Sequence, residues 1–99
     1  MYNRIILTGN LITNPEERIG NDKKKRAIYK LEVKRMYHRE GDPESDTFRI
    51  ISSSKQAEND LKYLTEHALV IVEGRLEFTN EYPNVLADNV RYIANGQQK

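Results

Sequence analysis

Half of the sixteen basic side chains crowd between Lys23 and Arg39, where a single acid, Glu32, stands among them. They are Lys23, Lys24, Lys25, Arg26, Lys30, Lys34, Arg35 and Arg39, which give the segment a charge of +7 and leave the rest at −6, in a chain whose net charge is +1. Such a local excess attracts a polyanion even when the whole protein is close to neutral. Tyr37 lies inside the segment, between Arg35 and Arg39. Cations neutralise phosphates and release condensed counterions. An aromatic ring stacks on any nucleobase, at about 1–3 kcal/mol per base. A solvated, lysine-rich hairpin would carry the same charges, so the pattern gains meaning only from the elements around it.

Catalytic chemistry has far less to stand on. His38 and His67 are distant from each other, and neither sits at a metal-ligand spacing. Asp42, Glu44 and Asp46 alternate, but the calcium-loop pattern is incomplete, and a solvated turn explains them better. No phosphate-cradling glycine motif and no nucleophile elbow occurs. A nuclease would need converging acids and arginines, and none can be read here. The expectation is a binding module that is not an enzyme and needs no metal or cofactor.

Ninety-nine residues are enough for one domain with a modest core, a size at which assembly into oligomers helps stability. The chain has no cysteine, which fits a reducing cytoplasm and gives no disulfide framework. No apolar run approaches the roughly 20 residues of a membrane span, and the start lacks a secretory apolar core. A cytoplasmic protein without membrane attachment is expected.

The elements that must position the basic segment follow from periodicity. Ile5, Leu7, Gly9 and Leu11 alternate with Arg4, Ile6 and Thr8, a first strand whose glycine suggests a bulge or sharp bend. Asn14-Pro15 breaks it, and Gly20-Asn21-Asp22 reads as loop. Ala27, Tyr29, Leu31 and Val33 alternate with Ile28, Lys30, Glu32 and Lys34, a second strand with a charged outer face. A polar turn runs from Arg39 to Asp46, and Phe48 to Ile51 is a third strand. Ser53 and Gln56 have capping-box spacing, and Ala57, Leu61 and Leu64 recur at helical intervals, predicting a helix of about three turns. Leu69 to Leu76 and Val85 to Tyr92 complete the set as fourth and fifth strands.

Three strands, a helix, then two strands is the order of a five-stranded Greek-key OB barrel, all-β with one helix between strands three and four. Two motifs sharpen this: the opening Asn3-Arg4-Ile5-Ile6-Leu7-Thr8-Gly9-Asn10-Leu11, and the helix beginning at Lys55-Gln56-Ala57 coupled to Val72-Glu73-Gly74-Arg75-Leu76. With them the chain resembles the bacterial-type single-stranded DNA-binding proteins from about residue 3 to residue 93. The resemblance implies a domain over 1–95; the short end expected at 96–99 departs from cellular members, which recruit partners through an acidic tail. It implies sequence-tolerant binding of single-stranded DNA in replication or recombination. It also implies a homo-oligomer, a dimer through the first strand or a tetramer of paired dimers, with Tyr2 near a subunit contact. Replication proteins are candidate further partners.

In that family the DNA strand passes over strands two to five. Carried onto this chain, the nucleic-acid-binding set is Lys34, Arg35, Tyr37, Arg39, Phe48, Arg49, Lys55, Arg75, Phe78 and Tyr82. Tyr37 matches a position that is commonly aromatic. Phe48 matches approximately, across a one-residue gap, and a core position would suit it equally. Phe78 and Tyr82 flank the aromatic of the hairpin between strands four and five. Tyr29, Tyr63 and Tyr92 are expected to pack. The chain departs from the pattern in Ser52-Ser53-Ser54, where an apolar residue and a base-stacking aromatic are usual, and in its shorter last hairpin. It also lacks the glycine that closes the helix, so a residue near Glu66-His67 must supply that turn. These departures also fit a tail-less, primosome-accessory or protein-interaction OB module with weaker single-strand binding. A cold-shock-like RNA barrel fits less well, because the close-set aromatic pairs are missing.

Overall fold

A computed structural model describes residues 1–79 and 81–94; the end expected at 96–99 lies outside them. Its elements are β1 (Ile5–Leu11), β2 (Glu16–Ile19), β3 (Lys25–Lys34), β4 (Ser45–Ser53), α1 (Ser54–Tyr63), β5 (Leu69–Glu77) and β6 (Asn84–Ala94). β3 pairs antiparallel with β4, and β6 runs parallel to β4 and antiparallel to β5. β5 pairs with β1, which returns to β3 through Asn10↔Glu32 and Leu11↔Leu31. The five strands therefore close on themselves as the OB barrel that the element order predicts.

β2 is the one strand that periodicity does not give. All four of its residues are exposed, so no alternation marks it, and it is held as a hairpin flank on β3 from Glu16↔Ile28 to Ile19↔Lys25. Counting it, α1 follows the fourth strand rather than the third. Among the five barrel strands the helix keeps its expected place.

Alternation sends one face of each strand inward. Leu11, Tyr29, Leu31, Ile50, Val70, Val72, Val85 and Val90 form the core, closed at one end by Leu64 and Ala68. Each large apolar side chain so buried stabilises the fold by roughly 1.5–3 kcal/mol. Glycines mark where backbones come too close for a side chain. A Cβ on Gly9 would strike the Glu32 carbonyl, and one on Gly74 the Leu86 carbonyl. Gly9 thus serves the close approach of β1 to β3, while the register shifts lie elsewhere, in the β5–β6 pairing between Leu69 and Val70 and between Glu73 and Gly74.

Ser53 stands at the N-cap of the helix, but its side chain makes no capping bond. Gln56 instead donates to Asp60 and accepts from the Val90 amide, so the capping box is replaced by a link to β6. His67 supplies the left-handed turn after the helix, with φ 78°, and its N–H donates to the Leu11 carbonyl. Tyr29 is buried as expected. Tyr63 is not packed away; it is 58% exposed. Tyr92 is half way between, its ring partly open and its hydroxyl turned inward to Asp60.

Candidate nucleic-acid interface

Because Tyr29, Leu31, Ile50 and Val85 point inward, their neighbours point outward, and pairing aligns those neighbours into rows across the barrel. One row is Ile28, Ile51, Leu86 and Arg75, linked by Ile28↔Ile51, Ile51↔Leu86 and Arg75↔Leu86. The next is Lys30, Arg49, Asn84 and Glu77, linked by Lys30↔Arg49, Arg49↔Asn84 and Glu77↔Asn84. Three apolar side chains, with Arg75 at the β5 end, thus lie beside a polar row whose two cations, Lys30 and Arg49, sit on β3 and β4. β2 raises a wall along it, and Thr13, Glu16, Arg18, Ile28, Lys30 and Arg49 line a groove there.

The turn between β5 and β6 folds onto this face. The Pro83 carbonyl accepts from the Arg49 amide at 2.9 Å, and Thr79 donates its hydroxyl to the Tyr82 carbonyl at 2.8 Å. The Lys30 ammonium lies 4.8 Å from the centre of the Tyr82 ring. That cation–π contact covers one face of the ring and ties the turn to β3.

Other cations are already engaged. Arg26 grips Asp22, and with the Lys24 amide holds that carboxyl down to about 2. Arg35 meets Asp46 through two bonds, Nε to Oδ2 at 3.0 Å and Nη2 to Oδ1 at 2.8 Å. That contact holds the Asp46 carboxyl below its usual range and cancels the arginine's charge locally. Arg35 is therefore a structural clamp across the base of the β3–β4 turn in this state.

The remaining expected residues are spread over the molecule. Lys34 ends β3 opposite Ser45. Tyr37 and Arg39 stand out on the turn that follows, the tyrosine 85% exposed. Lys55 lies in the first turn of α1, Arg75 on the outer row of β5, and Phe78 just past β5, 78% exposed. Among the described residues, the side chains of Lys34, Arg39, Lys55 and Arg75 carry no ion pair. Phe48 pairs with Leu31 and packs against the core, on the opposite side of β4 from Arg49. The open face consists of Arg49, Arg75 and Tyr82, with Lys34 continuing the outer alternation of β3. Lys30, Ile28, Ile51 and Leu86 join it without having been singled out, and Asn84 lies buried beside Arg49. Lys30 could have been found, because it shares the alternation that exposes Lys34. Asn84 carried no signal.

A closed OB barrel with a cationic and apolar outer face defines a class of oligomer- and strand-binding modules. Residues 2–96 match the Single-strand binding protein family, and the chain belongs to that family. It is similar to Single-stranded DNA-binding protein 1 of Staphylococcus aureus strain Mu50, 36% identical over 104 residues covering 94% of this chain and 66% of the relative. The chain thus spans just under two thirds of that relative's length. Among solved structures, the small single-stranded DNA-binding protein from Streptomyces coelicolor superposes with a TM-score of 0.82 at 22% identity, covering 94% of this chain and 95% of that one. The SSB domain of a Synechococcus protein gives 0.76 at 16% identity, covering 92% and 96%. At those identities the two structures bear on the fold.

Proposed function

We propose that this chain binds single-stranded DNA without sequence preference, in replication or recombination, by laying the strand across the outer face of β3, β4 and β6. The observation that carries the reading is the pair of rows: Lys30 and Arg49 for phosphates, beside Ile28, Ile51 and Leu86 for bases. The similarity to single-stranded DNA-binding proteins supports the ligand. Tyr82 offers a base its free ring face, while Tyr37 and Phe78 stand exposed beyond the two ends of the face. Duplex DNA hides its base faces, so a surface built for stacking favours single strands.

A fluorescence-anisotropy titration with a poly-dT oligonucleotide tests this. Saturable binding is expected, with log K falling against log salt by roughly 0.7 per phosphate neutralised, or about 3 for Lys30, Lys34, Arg49 and Arg75 together. Duplex of equal length should bind weakly. A folded sample that does not saturate at low salt would move the reading to a protein-interaction module.

Self-association belongs to the same proposal. Over Ile5 to Gly9, β1 pairs with β5 on one edge only, since its contact with β3 begins at Asn10. An unpaired edge invites strand addition, and Ile6, 56% exposed, sits along it. A symmetric copy would cover this edge through an isologous contact. Light scattering at micromolar concentration should give a dimer or tetramer, and Ile6→Lys should shift it to monomer. An Ile6→Lys protein with unchanged mass would place the interface elsewhere.

A further inference from the structure

Four arginine side chains are held by other side chains among the described residues, and three of the four holders are carboxylates. Arg4 meets Glu73, Arg26 meets Asp22, and Arg35 meets Asp46. Arg49 is the exception: its Nε donates to Oδ1 of Asn84, a neutral amide, at 2.9 Å. Asn84 is a polar residue only 4% exposed, and it opens β6 directly beside Arg49 in the parallel pairing. Its chain neighbour Pro83 holds the Arg49 amide, so two consecutive residues fix both the backbone and the side chain of the arginine.

A guanidinium carries five N–H donors in a rigid fork. Occupying Nε leaves the donors of Nη1 and Nη2, the edge that grips a phosphate through two parallel bonds. A carboxylate in the place of Asn84 would restrain the side chain equally well but would cancel its charge, as Asp46 does for Arg35. The amide restrains without neutralising.

We propose that Asn84 is a positioning residue that holds Arg49 aimed outward, fully charged, for a backbone phosphate of the bound strand. The inference rests on the outer-face reading above and adds a residue that makes no contact of its own with the phosphate. Restraining a flexible side chain before binding spares the cost of ordering it during binding, about three- to tenfold in affinity for one arginine.

The test is a poly-dT titration over a range of salt, on samples that melt cooperatively. Asn84→Ala should bind about three- to tenfold more weakly with an unchanged salt slope. Asn84→Asp should flatten the slope by about 0.7, the share of one phosphate, as Arg49→Ala does. Asn84→Ala added to Arg49→Ala should cost less than about twofold more, because the two act as a unit. Arg49→Lys leaves Asn84 in place, keeps the charge and loses the Nε donor, so it should mimic Asn84→Ala even if the Asn84 variants fold poorly. If Arg49→Ala weakens binding but Arg49→Lys matches wild type, or the double variant loses affinity multiplicatively, the positioning role is overturned and the outer-face reading stands. If Arg49→Ala itself binds as wild type, the outer-face reading fails and the positioning role with it.

Discussion

Asp60→Ala is expected to lower folding stability by about 3–5 kcal/mol, a large fraction of what a domain of this size has. Asp60 lies on the inner face of α1 and is fully buried. Its Oδ2 accepts the Ser52 hydroxyl at 2.6 Å and the Tyr29 hydroxyl at 3.3 Å, and its Oδ1 accepts Gln56 Nε2 at 2.9 Å and the Tyr92 hydroxyl. Four neutral donors thus satisfy a carboxylate inside the barrel. Burial, reinforced by the Asp60 charge, pushes the Tyr29 hydroxyl well above the usual tyrosine range, so it stays a donor. Alanine would leave the Tyr29 and Ser52 hydroxyls buried with no acceptor and would remove the bonds that Asp60 makes to β3, β4 and β6, leaving the Gln56–Val90 link. Urea unfolding should show the midpoint falling by more than about 1 M, given slopes of roughly 1–3 kcal/mol/M for small proteins. A change below about 1 kcal/mol would mean that water or a neighbouring group replaces the carboxylate, and that the network is not what fastens α1.

Tyr37→Ala should do the reverse, leaving stability alone and weakening poly-dT binding by about 1–3 kcal/mol, the worth of one stacked base. The ring stands exposed beyond β3, so its removal opens no cavity. Stacking neutralises no phosphate, so the salt slope should not move. The contrast separates stacking from phosphate contact within one assay. Unchanged affinity would show that the strand does not reach the β3–β4 turn. A fall in melting temperature equal to that of a core variant would show that the ring packs in solution.

The barrel was legible because its strands alternate and its helix does not. Tyr29, Leu31, Val70 and Val72 fall on the inward positions that period two assigns. Phe48 obeys the same rule: two residues before the inward Ile50, it must face the core, whereas aligning it by family position across a gap obscured that. The polar network was not legible. Ser52 and Asp60 read as surface residues, and only the three-dimensional meeting of β3, β4, α1 and β6 shows that each satisfies the others. β2 was missed for the opposite reason, being exposed throughout and held by its pairing with β3 alone. Within the basic segment, charge excess alone did not show that Arg26 and Arg35 are engaged by Asp22 and Asp46, since those pairings depend on how the turns fold.

The two faces of the barrel wall are two phases of a single alternation, which constrains how such a protein can vary over evolutionary time. Tyr29 faces the core and Lys30 the outside on the same stretch of β3. Inserting or deleting one residue there would exchange them, burying a lysine and exposing a core tyrosine, and so would destroy fold and surface in one event. Substitution can tune either face independently, but length can change only where no alternation is kept. The turn after β3 and the turn between β5 and β6 are such places, and both border the proposed interface. Divergence in chain length is thereby channelled to the margins of the surface, so that lineages can gain or shed reach around a ligand while the middle of the surface keeps its register.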